Sequence, residues 1–354
     1  MENTAPSRSN RFDTMRLIFA LVVVVSHSFT LPDLAGTRAA RDVLAQLSEL
    51  AIQGFFILSG ALVYGSWLRT ETISRYALKR VRRLYPAYVA IILLTVAIAF
   101  IAVPDVRADM GTTFRYIAAN LSFLNFLQPT LPGVFEGQRF QEINGALWTL
   151  KIEVMFYIGL PILVWMMSSL GRFKFGLLIL IYIAAEVWRF GFEQIGHERG
   201  SYALIQISRQ LPGQMSFFVS GILLWEFRHL VRARWWLFGV IGLFVLLASY
   251  LPGMEFVRAA GWCALLGGLA FSPGPELNAA RFGDFSYGAY ITHFPIIQTV
   301  IAFGVFTYAH WAGFAVAYLV TLTVAIAFWH LIEKRFLASN NWYRRNSEEA
   351  PSEG

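Results

Sequence analysis

Apolar residues in this chain are gathered into long unbroken runs, and the polar residues between them fall into short clusters. Runs such as Leu84–Val103 and Trp311–Leu331 come close to the ~20 residues a helix needs to cross about 30 Å of hydrocarbon. Apolar windows give ten candidate spans, at 16–34, 47–67, 84–103, 147–169, 174–190, 203–225, 235–251, 256–273, 285–308 and 311–332. A weaker segment, Tyr116–Leu127, is short and carries Asn120, Ser122 and Asn125, so it is placed as an interfacial or re-entrant helix. The pattern predicts an all-α fold, a polytopic transmembrane helix bundle of about ten spans. The run Leu17–Phe29 follows Arg8, Arg11 and Arg16, as a secretory signal would. Because further spans follow it, it is read as an uncleaved first transmembrane helix. The longest connection, Pro104 to Ala146, contains Pro129, Pro132, Gly133 and Gly137 and is expected to be irregular and to cover a cavity. Residues 1–15 are expected as a cytoplasmic N-terminal segment, 16–332 as one membrane domain and 333–354 as a cytoplasmic tail.

Composition agrees with this pattern. Hydrophobic residues make up 56% of the chain and charged residues 14%, where a soluble domain carries about 25% charged. The lone cysteine, Cys263, lies in an apolar stretch, which excludes an intramolecular disulfide and a cysteine-based metal cluster. The formal charge of +7 does not require a nucleic-acid partner, because basic residues at membrane-helix ends orient the chain and meet anionic lipid. Counted on alternate connections, nineteen Lys and Arg fall on one side and eight on the other, with Lys151 and Arg209 inside spans. The richer side is the cytoplasmic one, which predicts that both termini are cytoplasmic.

An ionisable side chain near mid-bilayer costs a few kcal/mol, so each one inside a span is a functional candidate. They are Arg16 and His27 on the first span, Lys151 and Glu153 on the fourth, Arg209 on the sixth and His293 on the ninth. Arg16 and His27 are eleven residues apart, a net rotation of only ~20° and a rise of ~16 Å along a helix. With Asp13 they form a polar stripe on one face, which must meet protein or water rather than lipid. Glu153 would lie about 9–10 Å deep and His27 ~15 Å up its helix, depths at which the two could meet. A carboxylate beside an imidazole fixes its tautomer and stabilises the imidazolium formed when it takes a proton. An interhelical hydrogen bond that only holds the bundle together explains the same residues.

The cluster Lys79-Arg80-Val81-Arg82-Arg83-Leu84-Tyr85-Pro86 begins the third span. Arg80 and Arg83, at i and i+3, are suited to grip phosphate oxygens, and lipid head groups explain the cluster equally well. Pro295 frees a backbone carbonyl that His293 or Tyr290 could satisfy; alternatively His293 lines the same cavity as His27. Arg209 and Gln210 precede Pro212-Gly213 and mark a broken helix that could meet a polar acceptor. Ser26 and Ser28 flank His27 but point about 100° away from it, so neither is placed as a nucleophile. No Gly-x-Ser-x-Gly elbow, Walker loop or His-Glu-x-x-His motif occurs.

Five segments, taken in order, resemble the acyltransferase-3 family of membrane O-acyltransferases, which modify surface polysaccharides and lipopolysaccharide. Arg11-Phe-Asp-Thr-Met-Arg16 with His27 resembles the family's Asp-x-x-Arg opening and its arginine, ten residues, histidine signature. Gln53-Gly-Phe-Phe-Ile-Leu-Ser-Gly60 is similar to its Phe-Phe-x-Leu-Ser-Gly segment, and Arg80-Val-Arg-Arg83-Leu-Tyr-Pro86 to its Arg-x-x-Arg element. Leu147-Trp-Thr-Leu-Lys-Ile-Glu153-Val-Met-Phe-Tyr157 resembles Leu-Trp-Ser-Leu-x-x-Glu-x-x-Phe-Tyr, and Ser286–Pro295 resembles Ser-Tyr-x-x-Tyr-x-x-His-x-Pro. The resemblance covers nearly the whole chain. It implies that His27 is the catalytic residue, Arg16 its essential companion, and Arg80 with Arg83 the cytoplasmic acyl-CoA contact. From the residues themselves, His27 is the candidate general base with Asp13 and Glu153 beside it, and Tyr85 is placed at the donor. Trp148, Lys151, Arg209, Tyr287 and His293 are the expected acceptor side. Lys151 departs from the small polar residue usual at its position.

The expected activity is transfer of an acyl group, most often acetyl in this family, from cytoplasmic acyl-CoA to a hydroxyl of a cell-surface glycan or its lipid-linked precursor. It needs no metal and no nucleic acid, and its expected setting is the bacterial inner membrane among lipids. A glycan or lipid transporter or flippase would also place ionisable residues at mid-depth and use broken helices, but would move substrate without cleaving a thioester. A structural membrane subunit would tolerate replacement of His27 and Arg83 with stability effects alone.

Overall fold

A computed structural model describes residues 11–274 and 283–337. The described residues are helical, with no strand among them. In order they form α1 (Phe12–Thr30), α2 (Arg38–Leu68), α3 (Ile73–Ala102), α4 (Pro104–Ala108), α5 (Met110–Leu121), α6 (Trp148–Leu170), α7 (Lys174–Glu198) and α8 (Tyr202–Ser208). There follow α9 (Leu211–Glu226), α10 (Arg228–Ala233), α11 (Trp235–Ala248), α12 (Arg258–Phe271), α13 (Phe285–Ala302), α14 (Val305–Tyr308), α15 (His310–Phe328) and α16 (Lys334–Phe336).

Every one of the ten apolar windows carries helix. Five helical stretches are long and apolar enough to cross a membrane: Phe12–Thr30, Arg38–Leu68, Ile73–Ala102, the run Gly145–Glu198 and His310–Phe336. The window 203–225 is split into α8 and α9 at Arg209-Gln210, as the Pro212-Gly213 pair requires. Pro212 sits in the first turn of α9, and a Cβ on Gly213 would fall 1.9 Å from the Ser208 carbonyl. The connection 104–146 is more ordered than expected. Its first part is helical because Pro104 opens α4 and Asp109 caps α5 by accepting from the Thr112 amide at 2.9 Å. Hydrogen bonds from Thr112 hold the Asp109 carboxyl below the usual carboxylate range.

The chain divides into two compact units. Among the described residues, one takes 11–12, 52–76 and 152–274, and the other takes 13–51, 77–151 and 283–337. In the first unit, small residues bring backbones together. A Cβ on Gly60 would meet the Phe218 carbonyl at 2.1 Å and one on Gly221 the Ile57 carbonyl at 2.0 Å, the close approach by which apolar helices associate without a hydrophobic driving force. Pro161 in α6 cannot bond the carbonyl of Tyr157, and the Tyr76 hydroxyl donates to that carbonyl at 3.0 Å.

In the second unit, α13 is buried along most of its length and packs against α15. Pro295 releases the carbonyl of Ile291. Its partner is the Asn144 side-chain amide at 2.7 Å, and not His293 or Tyr290 as the sequence allowed. The segment before α6 buttresses α13 at further points. The Tyr290 and Thr149 hydroxyls lie 2.7 Å apart, Gln298 donates to the Phe140 carbonyl at 2.5 Å, and Gln138 donates to the Gln298 carbonyl at 3.1 Å. The last turn of the α15 stretch, Trp329–Glu333, is a π-turn, a local widening frequent at functional sites.

Candidate active site

The site grows from four elements of the second unit: α1, α3, α13 and the π-turn. Helix α1 sets Asp13 and Arg16 on one face, 3.7 Å apart across one turn, with His27 further along the same face. The expected stripe is present. Its foot is organised by a residue the sequence reading passed over, Asp284. This aspartate is buried to 2% side-chain exposure, a burial an isolated carboxylate could not sustain. It caps α13, accepting from the Ser286 amide at 3.3 Å and the Ser286 hydroxyl at 2.5 Å. It also pairs with Arg16 at 3.9 Å and, closely, with Arg83. A helix N-terminus and two guanidinium groups thus compensate one carboxylate.

Arg83 also binds Glu333, at 3.3 Å, which the π-turn delivers as a second buried carboxylate. The Arg83 guanidinium lies 5.9 Å from the Tyr287 ring centre, and the Tyr287 hydroxyl donates to the Leu84 carbonyl at 2.9 Å. Arg83, expected as a phosphate contact, is therefore held by protein carboxylates, and Tyr287 braces α3 and α13. Arg80 is half-buried on α3. Tyr85 is 37% exposed and donates to the Leu121 carbonyl at 3.3 Å.

At the other end of the stripe, the Nδ1 of His27 lies 2.7 Å from the Nε2 of His293. The two rings are within 11° of parallel with centroids 5.0 Å apart. Stacked rings with nitrogens this close would hold their centroids nearer together, so the rings meet edge to edge, with the bonding nitrogens along the line of centres. Lone pairs and N–H bonds of imidazole lie in the ring plane, and the contact is therefore a well-aligned hydrogen bond. The other nitrogen of His293, Nδ1, lies 3.1 Å from the Ala289 carbonyl. His293 is fully buried, while His27 keeps part of its surface accessible. Phe294 stands edge-on to His27 at 5.5 Å and Tyr290 edge-on to His293 at 5.9 Å. The Ser28 hydroxyl donates back to the Val24 carbonyl at 2.8 Å, which agrees with its exclusion as a nucleophile.

Of the remaining expected residues, Trp148 and Lys151 belong to the second unit and Glu153 and Arg209 to the first. Trp148, the first residue of α6, is half-buried, and the Lys151 ammonium sits 4.7 Å from the centre of the Phe126 ring. In the first unit Glu153 accepts from the Ser59 hydroxyl at 3.4 Å and, closely, from the Tyr157 hydroxyl, while Arg209 is exposed at the end of α8. The first unit also holds a buried pair on α7, Glu186 with Arg189 one turn on, over the Phe217 ring. Arg189 falls inside the apolar window 174–190. Two opposite charges three residues apart in an apolar window were the signal that it belongs inside. Among the described residues no three His, Cys, Asp or Glu converge as a metal would require.

Long apolar helices, with an in-plane histidine pair at one end of the α1 stripe and two arginines on a capping aspartate at the other, mark a helical membrane protein. The chain belongs to the acyltransferase-3 family: the pattern of that acyltransferase domain matches residues 9–330. Similar proteins include nodulation protein 10 of Rhizobium leguminosarum bv. viciae, 26% identical over 352 residues that cover 92% of each chain. Another is an O-acetyl transferase of Shigella phage Sf6, 26% identical over 343 residues, 94% of this chain and 98% of that one. No solved structure matches.

Proposed function

We propose that this protein transfers an acetyl group from cytoplasmic acetyl-CoA, or another short acyl-CoA, to a hydroxyl of a cell-surface glycan or its lipid-linked precursor. The reaction runs in the bacterial inner membrane, with both chain termini in the cytoplasm and about ten spans between them. The observation that carries the reading is His27, a partly buried histidine whose ring is aligned by a buried partner on α13 of an acyltransferase-family chain. Similarity to an O-acetyl transferase favours the acetyl group and oxygen as its destination.

In this mechanism Arg80 and the exposed Arg82 meet the phosphates of the donor, while Arg83 is held by Asp284 and Glu333 and keeps Arg16 aligned with it. His27 removes the proton of the acceptor hydroxyl as its oxygen bonds the thioester carbonyl carbon. The carbon–sulfur bond then breaks, and the departing thiolate takes the proton from the His27 imidazolium, leaving free CoA and an acetyl ester. Trp148, Lys151 and Tyr85 are proposed to border the reactants.

Mass spectrometry of surface glycans tests the reading. Cells lacking the protein should lose an acetyl increment that wild type restores. A correctly inserted His27→Ala protein should restore it at a rate lower by about 10²–10⁴. Glycans unchanged by deletion would reject the assignment of acceptor and reaction together.

A further inference from the structure

The Ala289 carbonyl can only accept a hydrogen bond, so the proton of His293 must sit on Nδ1, which lies 3.1 Å from it. With one proton on each ring, the Nε2 of His293 is then a bare acceptor. The nitrogen 2.7 Å away, Nδ1 of His27, must carry its proton there and donate it. This leaves Nε2 of His27 as a lone pair, on the residue of the two that is only partly buried, while His293 is fully buried. The proton positions of both rings thus follow from one backbone carbonyl.

We infer that His293 is a positioning residue that fixes the tautomer and plane of His27, so that Nε2 is the nitrogen that takes the acceptor's proton. It replaces the acceptor-contact role that its position in the sequence suggested. The inference rests on the acyl-transfer reading and deepens it. When Nε2 takes the hydroxyl proton, the Nδ1–H of the resulting imidazolium stays bonded to the lone pair of His293, which stabilises the new charge. The proton returns from the same Nε2 to the leaving thiolate, so the ring need not turn during the cycle.

The surroundings of His293 are built to hold it still. Tyr290, edge-on to His293, is tied through its hydroxyl to Thr149, and the carbonyl freed by Pro295 is tied to Asn144. A Cβ on Gly145, next to Asn144, would fall 2.8 Å from the Phe294 ring, so Phe294, edge-on to His27, is confined too.

The test uses the full-length purified protein in two arms. In the first, ring nitrogens are labelled with 15N-histidine and His27 is assigned by difference against His27→Gln. Wild type should show His27 protonated on Nδ1 and bare on Nε2, and His293→Ala should show a tautomeric mixture. A wild-type proton on Nε2 of His27 would overturn the inference. In the second arm, acyl transfer is measured for His293→Ala and His293→Gln. His293→Ala should lower kcat by about 10²-fold or more with KM for acyl-CoA unchanged. His293→Gln, whose amide oxygen still accepts from Nδ1–H, should recover most of that loss. A His293→Ala protein with wild-type kcat, or a glutamine variant no better than alanine, would also overturn it. Wild type with the expected ring spectrum but no acyl transfer would sink the functional reading and leave the tautomer assignment standing.

Discussion

At the scale of single residues, the site depends on charges that are buried only because they are shared. Arg83 compensates both Asp284 and Glu333, each at 2% side-chain exposure. Arg83→Leu should strand Glu333 and leave Asp284 to Arg16 and its cap alone, and cost about 3–5 kcal/mol, the usual penalty for breaking a buried pair, seen as a lower unfolding temperature in detergent. A variant of normal stability that only binds acyl-CoA more weakly would assign Arg83 to the donor instead. Asp284→Asn separates the two duties of Asp284, because asparagine caps a helix about as well as aspartate but cannot neutralise Arg16 and Arg83. It should destabilise the protein nearly as much as Asp284→Ala does, and a stability close to wild type would show that capping is the main duty. The sequence made Arg16 and His27 visible because few charges occur inside apolar windows and those two share a helical face. It hid Asp284, which stands just before an apolar window and reads as an ordinary loop acid. The partnership of His27 with His293 was equally hidden. Helical periodicity gives the depth of each residue but not which face of a helix 266 residues away it meets.

At the scale of elements, Pro161 and Pro295 each free a carbonyl inside an apolar helix that must find a donor, and the donors come from neighbouring segments. Asn144→Leu should leave the Ile291 carbonyl unpaired at a cost of about 1–3 kcal/mol, and should loosen α13 enough to accelerate hydrogen exchange around His293. Unchanged exchange would mean that Asn144 does not steady the helix. The Phe-Phe-Ile-Leu-Ser-Gly segment of α2 acquires a physical meaning in the same way. Ser59 binds Glu153 and Gly60 admits the backbone of α9. Gly60→Val or Gly221→Val should therefore destabilise by about 1–3 kcal/mol or more through overpacking, whereas Gly159→Ala, where a Cβ meets open space, should be silent. Apolar windows located the long helices because length and hydropathy suffice for that. The end of α5 falls within the segment 116–127 expected as a helix, but α4 and the start of α5 were missed because a Pro- and Gly-bearing connection was judged as a whole, although Pro104 and the Asp109-to-Thr112 cap were legible locally.

At the scale of the whole molecule, orientation rests on the imbalance of basic residues between alternate connections, a property no single helix carries. Since Cys263 is the one cysteine of the chain and is buried, single cysteines can be introduced and labelled without background. Arg75→Cys should react with a membrane-impermeant reagent only from the cytoplasmic side, and Arg199→Cys only from the outer side; the reverse pattern would invert the topology. The chemistry of the whole protein is read most directly by thiol release from acetyl-CoA in reconstituted vesicles, with and without a purified surface glycan. Wild type should release CoA in step with glycan acetylation, and His27→Ala of equal stability should release it about 10²–10⁴ times more slowly. Glycan-dependent release that survives loss of His27 would contradict the account.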